Sequence, residues 1–287
     1  MLNGVIDLHV HPGPGIFPRS VDDRQLAGEA AALGMRAVVL KAHEESTVGR
    51  ARLVSGMVTG VEVYGSLVLN EYVGGLNPFA VDLAIRTGAR IIWMPTVSAK
   101  QHLDYYGGHS DYREQKATVT LLPQKGITIL SPEGHLLPVV YDIIDLVKEA
   151  DRVLATGHLS PRETSILVRT ARERGLARVL VTHPDLLLNR MEVDLQGDLA
   201  AMGAFLEKSM LTLLPPWKSI EPGQLAQDIK TVGVRQCVLV TDLGQVDQPH
   251  PGEGYARFLE LLGHHGLKDS ELEVMACSNP SYLLGLA

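Results

Sequence analysis

Histidines and one aspartate recur at the ends of apolar runs in this 287-residue chain. The first run ends Asp7-Leu8-His9-Val10-His11 and the second ends Lys41-Ala42-His43. Three later runs share one design: an apolar stretch, a threonine, then a side chain able to bind a metal. They end in Thr156-Gly157-His158, Thr182-His183 and Thr241-Asp242. Neutral imidazoles with one carboxylate form an ordinary ligand set for zinc and similar divalent ions. His9 and His11 lie two apart, so on a strand both point the same way. Taken alone, a His-x-His pair also fits chance or two hydrogen-bonded core histidines. Unpaired polar groups gathered at one buried place need a compensating partner, and a cation supplies it. A divalent ion can lower the pKa of water from roughly 15.7 to about 7. The expected chemistry is attack by metal-activated water, with His9, His11 and His158 or His183 holding the metal. Asp242 is then expected to orient the water and carry its proton.

The elements that must position these groups are legible as a repeat. Strands are expected over residues 4–11, 35–43, 64–70, 90–96, 152–158, 178–183, 203–210 and 236–242. Most are rich in Val, Ile and Leu without polar alternation, as in parallel strands buried on both faces. Helices are expected over 22–33, 78–87, 139–149, 161–174, 195–202 and 224–232. Asn77-Pro78 and Ser160-Pro161 place an N-cap before a proline, and Ser160 with Glu163 matches a capping box. The alternation predicts an α/β fold, a (β/α)₈ TIM-type barrel forming a single domain over residues 1–287. A doubly wound open sheet is the alternative. In a barrel all strand C-termini meet at one face, so these distant residues would converge. An insertion of about residues 100–138 after strand 4 breaks the rhythm. Residues 102–113 read as a loop and residues 126–134 as a small hairpin. It is expected to act as an active-site lid, or to pack against the mouth or a neighbouring subunit.

The start Asp7-Leu8-His9-Val10-His11-Pro12, followed by His158, His183 and Asp242, resembles the amidohydrolase superfamily over residues 5–244. The resemblance implies a metal-dependent hydrolase on a distorted (β/α)₈ barrel. It also implies that the first-strand His-x-His, the histidines ending strands five and six, and the late aspartate bind one or two metals. Binuclear members usually carry a carboxylated lysine or a glutamate at the end of strand four. Here that strand ends Trp93-Met94-Pro95-Thr96, and Lys41 ends strand two instead. Three roles for Lys41 are open: a carboxylated bridge, a cation for an anionic substrate group, or a pair with Glu44, Glu45 or another carboxylate. Lys41 joins Asp242 in the expected catalytic set, and His43, two residues on, is a further candidate metal ligand. Asn70 and Glu207 are candidates for binding substrate or orienting a histidine. Asp7, read as deeper on the same side as His9, is expected to be structural. Trp93, Tyr105, Tyr106 and Trp217 are expected in the core or at the rim. His102, His109, His250, His264 and His265 read as solvated.

The leading expectation is hydrolysis of a C–N or C–O bond in an amide, cyclic amide or lactone. The alternatives are a metal-dependent decarboxylase of the same superfamily, a phosphoesterase of the polymerase and histidinol phosphatase (PHP) type, and a noncatalytic metal- or metabolite-binding barrel. Against the phosphoesterase, Pro12-Gly13-Pro14-Gly15 follows the histidine pair where that family has a serine and an Asp-Gly pair. Zinc is the first choice of metal, one or two ions, with manganese and iron as alternatives. Net charge is −7 without a long basic run, which gives no reason to expect nucleic acid or an anionic membrane as partner. A small-molecule substrate and a possible homo-oligomer are the partners expected. Cys237 and Cys277 make no disulfide framework, and no export signal is read at the start, so a cytoplasmic location is expected.

Overall fold

A computed structural model describes residues 2–112, 115–119 and 121–286. Eight parallel strands pair in sequence order: β1 Ile6–Val10, β2 Ala37–Leu40, β3 Glu62–Val68, β4 Ile91–Trp93, β5 Val153–Ala155, β6 Val179–Val181, β7 Phe205–Ser209 and β8 Cys237–Val240. The ring closes between β8 and β1. Asp242 N donates to His9 O at 2.9 Å, and His11 N donates to Leu243 O at 2.8 Å. The sheet is thus a (β/α)₈ barrel, as the strand–helix alternation predicts. The doubly wound alternative is excluded by the unbroken strand order.

Eight helices pack around the strands: α1 Asp23–Ala32, α2 Val48–Ser55, α3 Pro78–Thr87, α4 Lys100–Tyr105, α5 Pro138–Glu149, α6 Pro161–Glu173, α7 Val193–Ala201 and α8 Pro222–Val232. A long α9, Pro251–His264, follows β8, and α10 Asp269–Glu273 and α11 Asn279–Leu284 follow it. The capping box at Ser160–Glu163 is present, and Asn77 caps α3 through Phe79 N and Ala80 N. Pro251 opens α9. Helices α9, α10 and α11 lie beyond the last one expected, and within the barrel α2 and α4 lie where none was expected. α2 carries Gly49 and β-branched valines and has no side-chain cap, so its local signal is weak. α4 occupies the start of the segment read as a loop. The expected hairpin is reduced to one antiparallel bridge, Leu130 to Leu136. Arg113, the last residue of the expected loop, lies outside the described residues.

The core has two layers. Ile6, Leu8, Val39, Trp93, Ala155 and Val240 belong to a cluster that fills the barrel, while Val10, Val38, Leu40, Ile92 and Leu239 face the surrounding helices. Simple alternation from Ile6 and Leu8 would turn His9 outward. A register shift between Asp7 and Val10 interrupts the β1–β2 pairing at this point, and His9 turns to the interior. Among the described residues no helix is long and apolar enough to cross a membrane.

Candidate metal centre

The shared strand-end design has a structural meaning. The residue after each threonine takes a positive φ: Gly157 at 60°, His183 at 25° and Asp242 at 56°. Each such residue bends the chain off the barrel rim. At β5 the bend is made by glycine because an added Cβ would overlap the carbonyls of Met94 and Pro95. Left-handed backbone at His183 and Asp242 costs on the order of 1–3 kcal/mol each, tolerated where the surroundings over-determine it. The threonines bind neighbouring strands together. Thr156 Oγ1 accepts from Thr182 N, and Thr182 Oγ1 accepts from Gly157 N, both at 3.0 Å. Thr241 Oγ1 donates to Asp7 Oδ2 at 2.6 Å.

His9, His11 and Asp242 form the tightest group, with one ligand atom from each lying within 4.8 Å of the others. Asp242 Oδ1 is 3.0 Å from His9 Nε2 and 3.2 Å from His11 Nε2, and the two imidazole nitrogens are 3.2 Å apart. Lys41 Nζ is 2.8 Å from His9 Nε2 and 4.1 Å from the centre of the Trp93 ring. Ligands bound at about 2.0–2.2 Å to one zinc ion sit at such mutual distances. The donor set therefore fits a divalent cation.

The outer nitrogens of the imidazoles reinforce the fit. His9 Nδ1 is 2.9 Å from Glu207 Oε1, and a carboxylate can only accept, so His9 carries its proton on Nδ1. His183 Nδ1 donates to Asn189 Oδ1 at 3.3 Å, while the Asn189 amide nitrogen donates to Thr182 O and Gly157 O. His158 Nδ1 faces His102 Nδ1 at 3.0 Å, and His43 Nδ1 faces Thr96 Oγ1 at 2.9 Å. Four histidines are thus held through Nδ1; Nε2 of His9 faces His11, Lys41 and Asp242, while Nε2 of His43 meets Tyr112 OH at 3.4 Å. That is how metal-binding imidazoles are fixed in tautomer and direction. His11 Nδ1 and Glu207 Oε2 are buried without a partner among the described residues.

His9, His11, Lys41, His43, His158, His183 and Asp242 all line one narrow cavity at the barrel mouth, together with Tyr112, Trp217 and Gln245. Asn70 and Glu207 do not line it. Asn70 is fully buried and donates to His43 O and Thr96 Oγ1, while its oxygen accepts from Thr96 N and Ser98 N. Glu207 takes His9 Nδ1 and the His183 amide. Both position histidine-bearing chain. Lys41 makes no pair with Glu44 or Glu45: Glu45 pairs with Arg50, and Glu44 accepts from Ile16 N. Asp7 does not share the interior direction of His9. Its carboxylate is spent on His9 N, Thr241 N and Thr241 Oγ1, and burial pushes it up to about 7.

Sequence reasoning missed four groups. His102, expected to be solvated, is fully buried on α4 and stacks on His158 with ring centres 5.2 Å apart. Its signal was hidden because six residues between a Ser-Ala turn and a Tyr-Gly stretch carry no helical pattern. Asn189, Arg19 and Gln245 come from loops, where no periodicity marks them. His102→Ala should weaken metal binding about 10–100-fold, since it removes the partner that fixes His158. Competition with a chelating dye measures this, and unchanged affinity would remove His102 from the site.

Burial lowers the pKa of His11, His43 and His158 well below the ordinary value and also lowers His183. At His9 burial acts the same way, but Asp242 and Glu207 outweigh it and raise the value. Burial opposes the charge of Asp242, yet His9 and His11 hold its carboxyl well below the usual range. Lys41 is lowered by burial to about 8. At neutral pH the site holds mostly neutral imidazoles beside an ionised carboxylate, the protonation that cation binding requires. Cys237 offers no nucleophile, because burial pushes its thiol up to about 12.

A family model described as a family of unknown function (DUF6282) matches residues 4–207. No curated protein matches the sequence. Among solved structures, an amidohydrolase from Pseudomonas aeruginosa superposes with a TM-score of 0.67 at 10% identity, covering 98% of this chain and 95% of that one. An organophosphorus hydrolase from Deinococcus radiodurans gives 0.64 at 13% identity, covering 98% and 92%. A mutant PTE-like lactonase from Deinococcus radiodurans gives 0.62 at 14% identity, covering 98% and 96%. At such identities the likeness is one of fold.

Proposed function

The chain belongs to the family of unknown function DUF6282, and we propose that it is a metal-dependent hydrolase of the amidohydrolase type, cleaving a C–N or C–O bond in a small amide, cyclic amide or lactone. The observation that carries the reading is the convergence of Nδ1-anchored histidines on one cavity with Asp242. Structural core alone does not call for this, because buried polar groups without partners cost stability. The fold neighbours described as an amidohydrolase, an organophosphorus hydrolase and a lactonase support it by analogy.

His9, His11 and Asp242 would hold the metal; the His183 ring lies 5.9 Å from that of His9 and 5.0 Å from that of His158, and the His43 ring lies 4.8 Å from that of His11. Zinc is the first choice for imidazoles with one carboxylate. When bound, such an ion supplies Lewis acidity and a water acidic enough to attack at neutral pH. With a metal in place, Asp242 would orient the attacking water, accept a proton from it and pass that proton to the leaving group. Lys41 Nζ, 2.8 Å from His9 Nε2 and lining the cavity, can hydrogen-bond a polar atom of the substrate there. Glu207, Asn189, His102 and Thr96 keep the imidazoles aimed.

The test is turnover of a panel of N-acyl amino acids, cyclic amides, lactones and phosphotriesters by protein loaded with zinc, manganese or iron. The expected product of an amide or lactone has gained one water, and a chelator abolishes its formation. A product that has instead lost carbon dioxide would replace hydrolysis by decarboxylation.

A further inference from the structure

Arg19 lies in the loop between β1 and α1 and lines the same cavity as His11, His43 and Asp242. Its guanidinium makes no hydrogen bond and no ion pair within 4 Å to any described residue. Arg50, in the same region, shows the contrast: it binds Asp23 and Glu45 at 2.7 and 2.9 Å and two backbone carbonyls. Arg19 is instead steadied by the Phe17 ring, 5.6 Å from its central carbon. Its donors are taken by no described residue, and its planar fork suits an oxyanion.

Gln245 supplies the second observation. Its amide nitrogen donates to Asp242 O at 2.9 Å, which fixes the amide's orientation. Its Oε1 is buried and has no partner among the described residues. Arg19 and Gln245 face each other across an antiparallel bridge, reinforced by Ser20 N donating to Gly244 O at 2.8 Å. Residues directly opposite on such a bridge project side by side. A donor fork and a lone acceptor therefore stand together, three residues from Asp242, with Leu211 and Trp217 as the apolar wall of the cavity.

We infer that Arg19 and Gln245 form the specificity half of the site and select a substrate that carries an oxyanion next to an N–H or O–H donor, as an N-acyl amino acid does. The inference rests on the hydrolase reading for the reaction, but the recognition it describes is separately measurable. The oxyanion binds the guanidinium, the neighbouring donor binds Gln245 Oε1, and the acyl carbon is thereby presented to the histidine cluster.

Calorimetry on the full-length protein, metal-free and zinc-loaded, tests this with three probes: N-acetylglycinate, its neutral amide N-acetylglycinamide, and N-acetylaminomethylphosphonate. Both anions should bind at least about 30-fold more tightly than the neutral amide. The tighter of the two identifies carboxylate or phosphonate as the preferred oxyanion. Arg19→Gln should bring the anionic and neutral affinities to within about threefold, and Arg19→Lys should restore part of the gap. Gln245→Leu should remove the advantage of N-acetylglycinate over O-acetylglycolate, which lacks the N–H. Equal affinities in the wild type, or a gap that survives Arg19→Gln in a folded variant, would overturn the inference. Anion binding without any hydrolysis would leave it standing while the reaction reading fails.

Discussion

Asp242→Asn is expected to lower kcat by about 10²–10⁴-fold, the range supplied by a positioned general base, while much of the bound metal remains. The substitution keeps the size and shape of the side chain. Asparagine also accepts the left-handed backbone, φ 56°, that Asp242 adopts at the rim. Its amide oxygen can still face His9 and His11. What disappears is the charge that outweighs burial and the capacity to take a proton from water. The loss should fall on kcat far more than on KM, because the interaction matters only as charge and proton move. Steady-state kinetics with metal analysis of the same samples checks this. Activity within threefold of wild type would remove Asp242 from proton transfer.

The second large effect concerns binding and stability together. The His9→Ala/His11→Ala variant deletes two of the three members of the tightest ligand group. Removing a group that merely orients a ligand costs about 10–100-fold in affinity, so removal of two ligands should exceed 100-fold. Ligand binding to the folded state stabilises it by RT ln(1 + [L]/Kd), about 4 kcal/mol at a thousandfold excess over Kd. Zinc should therefore raise the melting temperature of the wild-type protein and leave that of the variant nearly unmoved. In the absence of metal the variant should be less stable than the wild type, because Asp242 and Glu207 lose their buried imidazole partners, so the zinc shift is read within each protein. A zinc shift of equal size in both proteins would show that the metal binds elsewhere.

The barrel was readable because its strands are buried on both faces and its helices carry their own start signals, as at Asn77 and Ser160. The positions of His9, His11, His43, Lys41, His158, His183 and Asp242 on one cavity followed from the fold, since strand ends share a face. Directions were less legible. A strand-end polar residue looks the same whether it reaches into the cavity or turns to a neighbour, and so Asn70 and Glu207 read equally as substrate contacts or as groups that orient a histidine. The irregularity in β1 that turns His9 inward leaves no trace in residue types. The partners that hold Nδ1 atoms come from far along the chain: Glu207 lies 198 residues from His9, and His102 lies 56 from His158. Only three-dimensional proximity reveals them. Arg19 and Gln245 were hidden for the opposite reason, because loops carry no period against which an unusual residue stands out.

The central claim is that the convergent histidines and Asp242 hold a divalent metal. Plasma mass spectrometry of protein purified without chelator and without a nickel column tests it most directly. At least one equivalent of zinc, manganese or iron per chain is predicted, either as purified or after reconstitution. Protein that retains no metal under either condition, while remaining folded, would contradict the account.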